Sequence, residues 1–135
     1  MTTDQDLETK VIKRFIIKTK KDRYLGFISN AKTRNKFTNS LAHFSQDLRK
    51  ELFNEIKGDE RKVILDSIKT LGNLKDCYLI SENIELDQKR LDIETALNIT
   101  IGYGMGTLIV FGDARIVYYE AEGPSDRWIS KLVTD

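Results

Sequence analysis

The segment Tyr118-Tyr-Glu-Ala-Glu-Gly-Pro-Ser-Asp-Arg-Trp128 holds the densest group of chemically capable side chains in this 135-residue sequence. Read as a strand, it sets Tyr118, Glu120 and Glu122 on one face and Val117, Tyr119 and Ala121 on the other. Carboxylates two residues apart on a strand have Cα atoms about 7 Å apart. Such a pair can divide acid and base roles, or hold a hard cation with help from Asp126. Gly123-Pro124-Ser125 then turns the chain and returns Asp126, Arg127 and Trp128 to the strand end. The candidate ligand or partner residues are therefore Tyr118, Glu120, Glu122, Ser125, Asp126 and Arg127. The competing reading is a solvated strand face that ends in a capped turn, with Trp128 in the core.

A second candidate is electrostatic. Lys10 to Lys36 holds ten Lys/Arg and one acid, a balance of +9, whereas Asp76 to Asp135 holds five Lys/Arg and eleven acids, a balance of −6. The overall charge of +1 hides this asymmetry. Asymmetry of this kind concerns partners rather than fold. Lys10, Lys13, Arg14, Lys18, Lys20, Lys21, Arg23, Lys32, Arg34 and Lys36 form a basic face, and all of them but Lys10 are the candidate polyanion-binding set, with Phe15, Tyr24 and Phe27 interleaved for base stacking. A pI of about 7.8 lies below that of a dedicated nucleic-acid domain. A solvated helix face, or docking onto an acidic surface, explains the same residues.

Three weaker signals follow. Gly102-Tyr-Gly-Met-Gly106-Thr107 could bring backbone N–H groups to a phosphate. Dinucleotide and P-loop patterns, however, need a strand before the glycines and a helix after them. Here the order is reversed, so a helix end running into a tight loop is the favoured reading. Ser81-Glu82-Asn83 sits at a strand end, a common place for sites, and also reads as an ordinary turn. His43 and Cys77, the one histidine and the one cysteine, read as packing residues. They leave no zinc site of the common Cys/His types. No catalytic residue, metal ligand or cofactor is assigned. Asn98-Ile-Thr100 matches a glycosylation acceptor, which matters only for a secreted chain.

The elements that would position these residues follow from periodicity and turn formers. Helices are expected over 4–19, 30–44, 45–57, 59–71 and 92–101, with Asp59 and Asp92 as caps. The stretch 23–30 suits either a helix or a strand. Strands are expected at 77–81, 107–111 and 115–121, with a hairpin turn at Gly112-Asp113. A final turn capped by Ser125 would hold Trp128, Ile129 and Leu132.

An apolar share of 40% and a charged share of 32% suit a globular chain rather than a disordered one. With one cysteine and no signal peptide at the start, the expected setting is cytoplasmic. No apolar run is long enough to span a membrane. The reading is one α+β domain over residues 1–135: a helical N-terminal half on one face of a small antiparallel sheet built as strand, helix and hairpin. The favoured function is a non-enzymatic binding or interaction module whose partner is another protein or a second copy. The alternatives are nucleic-acid binding through the basic helices, and a small ligand- or metal-dependent enzyme using Glu120, Glu122 and Asp126, with Ser81 or Glu82.

Overall fold

The structure, a computed structural model, describes residues 4–123 and 126–134. The fold is α+β. Its centre is a six-stranded antiparallel sheet made of β1 (Phe53–Glu55), β2 (Asp76–Ser81), β3 (Arg90–Asp92), β4 (Thr107–Phe111), β5 (Ile116–Glu120) and β6 (Arg127–Ser130). The strand order is β1-β6-β5-β4-β2-β3. The helices are α1 (Asp4–Phe15), α2 (Lys18–Ile28), α3 (Arg34–Ser40), α4 (Glu60–Ile68) and α5 (Ile93–Thr100).

Helices cover both faces of the sheet, not one. Tyr78, Ile80, Leu108, Val110, Val117 and Tyr119 point to one face and pack with Val11 and Phe15 of α1, Tyr24 of α2, Phe37 of α3 and Phe44 beyond it. Their strand neighbours Leu79, Ile109, Phe111, Ile116 and Tyr118 point the other way and meet Ile64, Ile68 and Leu97 of α4 and α5. This explains why the central strands are buried along their whole length. Strands sandwiched between helices lose the apolar–polar alternation of a half-solvated sheet.

Several expected helices are shortened by contacts distant in sequence. The 4–19 helix stops at Phe15 because Ile17 N–H donates to Asp47 O (2.9 Å) and Arg49 N–H to Phe15 O (2.8 Å). The ambiguous 23–30 stretch is helical, as part of α2. The 30–44 helix becomes α3 and a 3₁₀ turn at Leu41–His43. The 45–57 helix is replaced by two 3₁₀ turns and β1, whose Phe53 and Glu55 pair with Ser130 and Trp128. Trp128 belongs to a sixth strand rather than a final turn, and Ser125 as its cap lies outside the described residues. The caps at Asp59 and Asp92 form as expected, accepting from Lys62 N–H (3.1 Å) and Thr95 N–H (3.0 Å). Among the described residues, no helix is long and apolar enough to cross a membrane.

Candidate functional site

At one end of the sheet, Ser81, Thr107, Glu120 and Arg127 are direct neighbours across β2, β4, β5 and β6. All four are buried, Glu120 completely. The register makes this row: each residue sits on the face that α4 and α5 cover, where the strands leave the apolar core. A buried carboxylate is tolerated only when paired and hydrogen-bonded. Glu120 Oε1 accepts from Tyr118 Oη (2.8 Å) and Gly102 N–H (3.2 Å), and Oε2 from Gly104 N–H (3.0 Å). Arg127 Nε lies 3.0 Å from Glu120 Oε1 as an ion pair whose N–H is not aligned for a hydrogen bond. Its Nη1 donates to Gly123 O (2.7 Å). Burial and the Glu120 charge beside it push the Tyr118 hydroxyl far above its ordinary value, so it stays a donor.

The glycine segment therefore is an anion-binding loop, and the anions are the protein's own. Gly102 and Gly104 have φ of +86° and +69°, which lets alternate N–H groups turn inward to Glu120. The third N–H, of Gly106, donates to Glu82 Oε2 (2.5 Å). Gly106 also touches the Leu41–Ala42 backbone so closely that a Cβ would lie 2.3 Å from Leu41 C. No side chain fits there. Tyr119 Oη ties the same corner to the sheet, accepting from Phe44 N–H (2.8 Å) and donating to Leu41 O (2.5 Å).

Glu122 does not share a strand face with Glu120. β5 ends at Glu120, and beyond it Glu122 N–H donates to Ala42 O (3.0 Å). The Glu122 carboxyl meets that of Glu82 instead. Burial first, and Glu122 second, raise the Glu82 pKa; the Gly106 N–H and His43 pull the other way. Asp126 accepts from Trp128 Nε1. The expected cluster of Glu120, Glu122 and Asp126 is thus divided: Tyr118, Glu120 and Arg127 are internal supports, Glu122 is exposed beside Glu82, and Ser125 lies outside the described residues. Among the described residues, no three His, Cys, Asp or Glu side chains converge at metal-holding distance.

The outer side of the loop is apolar. Tyr103 is 69% exposed and Met105 36% exposed. They line one hollow with Asn83, and the next residue, Ile84, is 89% exposed. Glu82 and Glu85 flank Asn83 and Ile84 in the chain, and Glu122 lies against Glu82. Sequence reasoning found the glycines and Glu82 but missed Tyr103, Met105 and Ile84. The available signal was an aromatic and a methionine inside a glycine-rich loop, where a core role is geometrically awkward.

The basic set also divides. Arg34 is not available to a polyanion: its guanidinium holds Glu8 and Asp87 on the sheet's other face. Arg14 donates to Asp113 O and Ala114 O (2.9 Å to the latter), and Lys10 pairs with Asp113. Lys13, Lys18, Arg23, Lys32 and Lys36 are exposed, with Lys20 and Lys21 half-buried. Arg23 and Lys36 both lie over the Phe27 ring, at 5.6 and 5.7 Å from its centroid. Phe15 and Tyr24 are in the core. Cys77 is buried, its thiol pushed up to about 12 chiefly by burial. It faces α5 while His43 lies exposed on the other layer, so the two do not form a catalytic pair. Asn98 of the glycosylation pattern accepts from Arg61, and Thr100 is buried.

Compared with known proteins, the chain matches no family model, no curated protein and no solved structure.

Proposed function

We propose that this chain is a non-catalytic interaction module that binds a basic, apolar-tipped segment of a partner protein through the glycine loop 102–106 and the adjoining turn at 82–85. The observation that carries this reading is the division of the loop into two sides. Its glycine N–H groups are held inward by Glu120 and Glu82, while Tyr103 and Met105 stay outside beside Ile84. Holding a loop in one shape lowers the ordering cost of binding. Tyrosine and methionine are enriched at protein interfaces, and rigidly supported loops are where such surfaces lie. The acidic border selects a basic partner.

The test is selection of random peptides displayed on phage against the full chain, followed by calorimetry of the winning peptide. Winners are expected to carry Lys or Arg around an apolar residue. Tyr103→Ser with Met105→Ser should weaken binding at least about tenfold, worth about 1.4 kcal/mol. Winners that are acidic, or that bind this double variant as well as wild type, would sink the reading.

Nucleic-acid binding is the second reading, favoured by the exposed cations of α2 and α3 around Phe27. Its test is anisotropy of labelled RNA and DNA at two salt concentrations, since phosphate contacts weaken steeply with salt. The informative variant is Lys32→Glu with Lys36→Glu, leaving Arg34 untouched. Unchanged affinity in that variant would end this reading.

A further inference from the structure

The hollow lined by Tyr103 and Met105 is a partly enclosed cleft of about 90 Å³ that reaches between the end of α5 and β4. Leu86, Ile99, Tyr103 and Met105 supply apolar walls, Asn83 an amide, and Thr100 and Thr107 hydroxyls. The two threonines differ. Thr107 Oγ1 is satisfied, meeting Ser81 Oγ (2.8 Å) and donating to Met105 O (3.0 Å). Thr100 is 2% exposed and its Oγ1 has no hydrogen-bond partner among the described residues. Helical threonines ordinarily return their hydroxyl to a carbonyl one turn back. A buried hydroxyl left unpaired destabilises the chain that carries it. Thr100 lines the cleft, so rotation about χ1, which exchanges hydroxyl and methyl between staggered positions, would turn the free hydroxyl toward it.

We propose that this cleft binds a small uncharged molecule that carries one hydroxyl or amide group, with Thr100 Oγ1 as its hydrogen-bond partner. The size follows from the volume. A closed cavity of roughly 150 Å³ takes a benzene ring, so a partly open one of this size takes about four to six heavy atoms. The neutrality follows from the lining. Among the described residues no charged side chain lines the cleft, and an ion placed against leucine, isoleucine and methionine loses hydration without a counter-charge. An anion would also approach the buried Glu120, the register neighbour of Thr107. The cleft shares Tyr103 and Met105 with the interface proposed above, whereas the buried Thr100 belongs to the cleft alone.

The experiment is a ¹⁵N NMR titration of the full chain with four probes of similar size: cyclopentanol, isobutyramide, isobutyrate and isobutylammonium. The two neutral probes should give saturable shifts at the amides of Thr100, Tyr103, Met105 and Thr107. Their Kd should be about 1 mM or weaker, in keeping with so few atoms. The ions should bind at least about fivefold more weakly. Thr100→Val should weaken the neutral probes about fivefold to tenfold while melting at or above the wild-type temperature, because it removes an unpaired buried polar group. Ile99→Phe, at the half-exposed rim, should abolish binding by filling the cleft. Neutral probes that shift no cleft residue, ions that bind equally well, or Thr100→Val binding unchanged would each overturn the proposal. A large fall in melting temperature for Thr100→Val would also overturn it, by showing that the hydroxyl already serves a structural partner.

Discussion

Glu8 and Glu120 are buried carboxylates on opposite faces of one sheet, and each meets one arginine and one tyrosine. Glu8 receives the Arg34 guanidinium through two nitrogens, with Nη2 at 2.7 Å from Oε2, and the Tyr78 hydroxyl at 2.7 Å. Arg34 also holds Asp87 at 2.9 and 3.0 Å. All four groups are side chains, and they come from α1, α3, β2 and the loop before β3. The result is a rivet that docks two helices onto the sheet. Glu120 has an arginine that is close but not aligned, and backbone N–H groups of Gly102 and Gly104 complete its shell. Its effect is to shape a loop. The same three residue types therefore do different work according to who supplies the remaining donors. Side-chain donors join elements, whereas backbone donors set the conformation of the segment that owns them.

The largest expected effects come from removing either carboxylate. Glu120→Ala should cost about 3–5 kcal/mol in urea unfolding, because it leaves the buried Arg127 without its carboxylate, and Glu8→Ala somewhat less, because Arg34 keeps Asp87. Hydrogen exchange separates them: Glu8→Ala should speed exchange in α1 and α3, and Glu120→Ala in residues 102–106 first. Identical exchange maps would abolish the distinction between rivet and loop support. Charge reversal at Arg34 belongs in the same class, while reversal at Lys32 and Lys36 should stay within about 0.5 kcal/mol of wild type.

Gly106→Ala comes next. Its Cβ would meet backbone atoms that cannot swing aside, so a loss of about 3 kcal/mol is expected. A thermal melt like wild type would mean that the Leu41–Ala42 corner yields freely.

The pH dependence is smaller. A carboxyl whose pKa is raised on folding binds its proton more tightly in the native state. Its contribution is present at low pH and is lost as pH rises through the raised value. Glu82 is such a group, so stability should fall as pH climbs above the usual carboxylate range. Glu122→Gln should flatten part of that slope, leaving the variant slightly more stable than wild type near neutrality and equal to it in acid. Parallel pH profiles would show that burial alone, without Glu122, sets the Glu82 shift.

The smallest stability effect is expected where the functional effect is largest. Tyr103→Ser with Met105→Ser should change the unfolding free energy by no more than about 0.5 kcal/mol, since both side chains face solvent. A large loss would mean that the exposed side of the loop is structural after all.

Local chemistry was legible where the answer depends on neighbours in the chain. The caps at Asp59 and Asp92, the strands of the central hairpin and the α+β class all follow from spacing and turn residues a few positions apart. The six-stranded sheet was not legible, because β1 and β6 are short and carry no alternation of their own. Each becomes a strand by pairing with the other and, for β6, with β5. The site was half legible. The glycines, Glu82 and the Tyr118–Trp128 segment stand out by composition, but their orientation depends on where β5 ends.

By itself, the sequence determined the charge asymmetry, the capped starts of α4 and α5 and the presence of a glycine loop after α5. These are properties of composition and short-range hydrogen bonding. Tertiary structure alone decided that Arg34 is locked between Glu8 and Asp87, that Glu120 turns inward while Glu122 turns to Glu82, and that Tyr103 and Met105 remain outside. A charged residue has the same identity on the surface and in the core. Which it becomes depends on whether donors from distant segments arrive to replace its water.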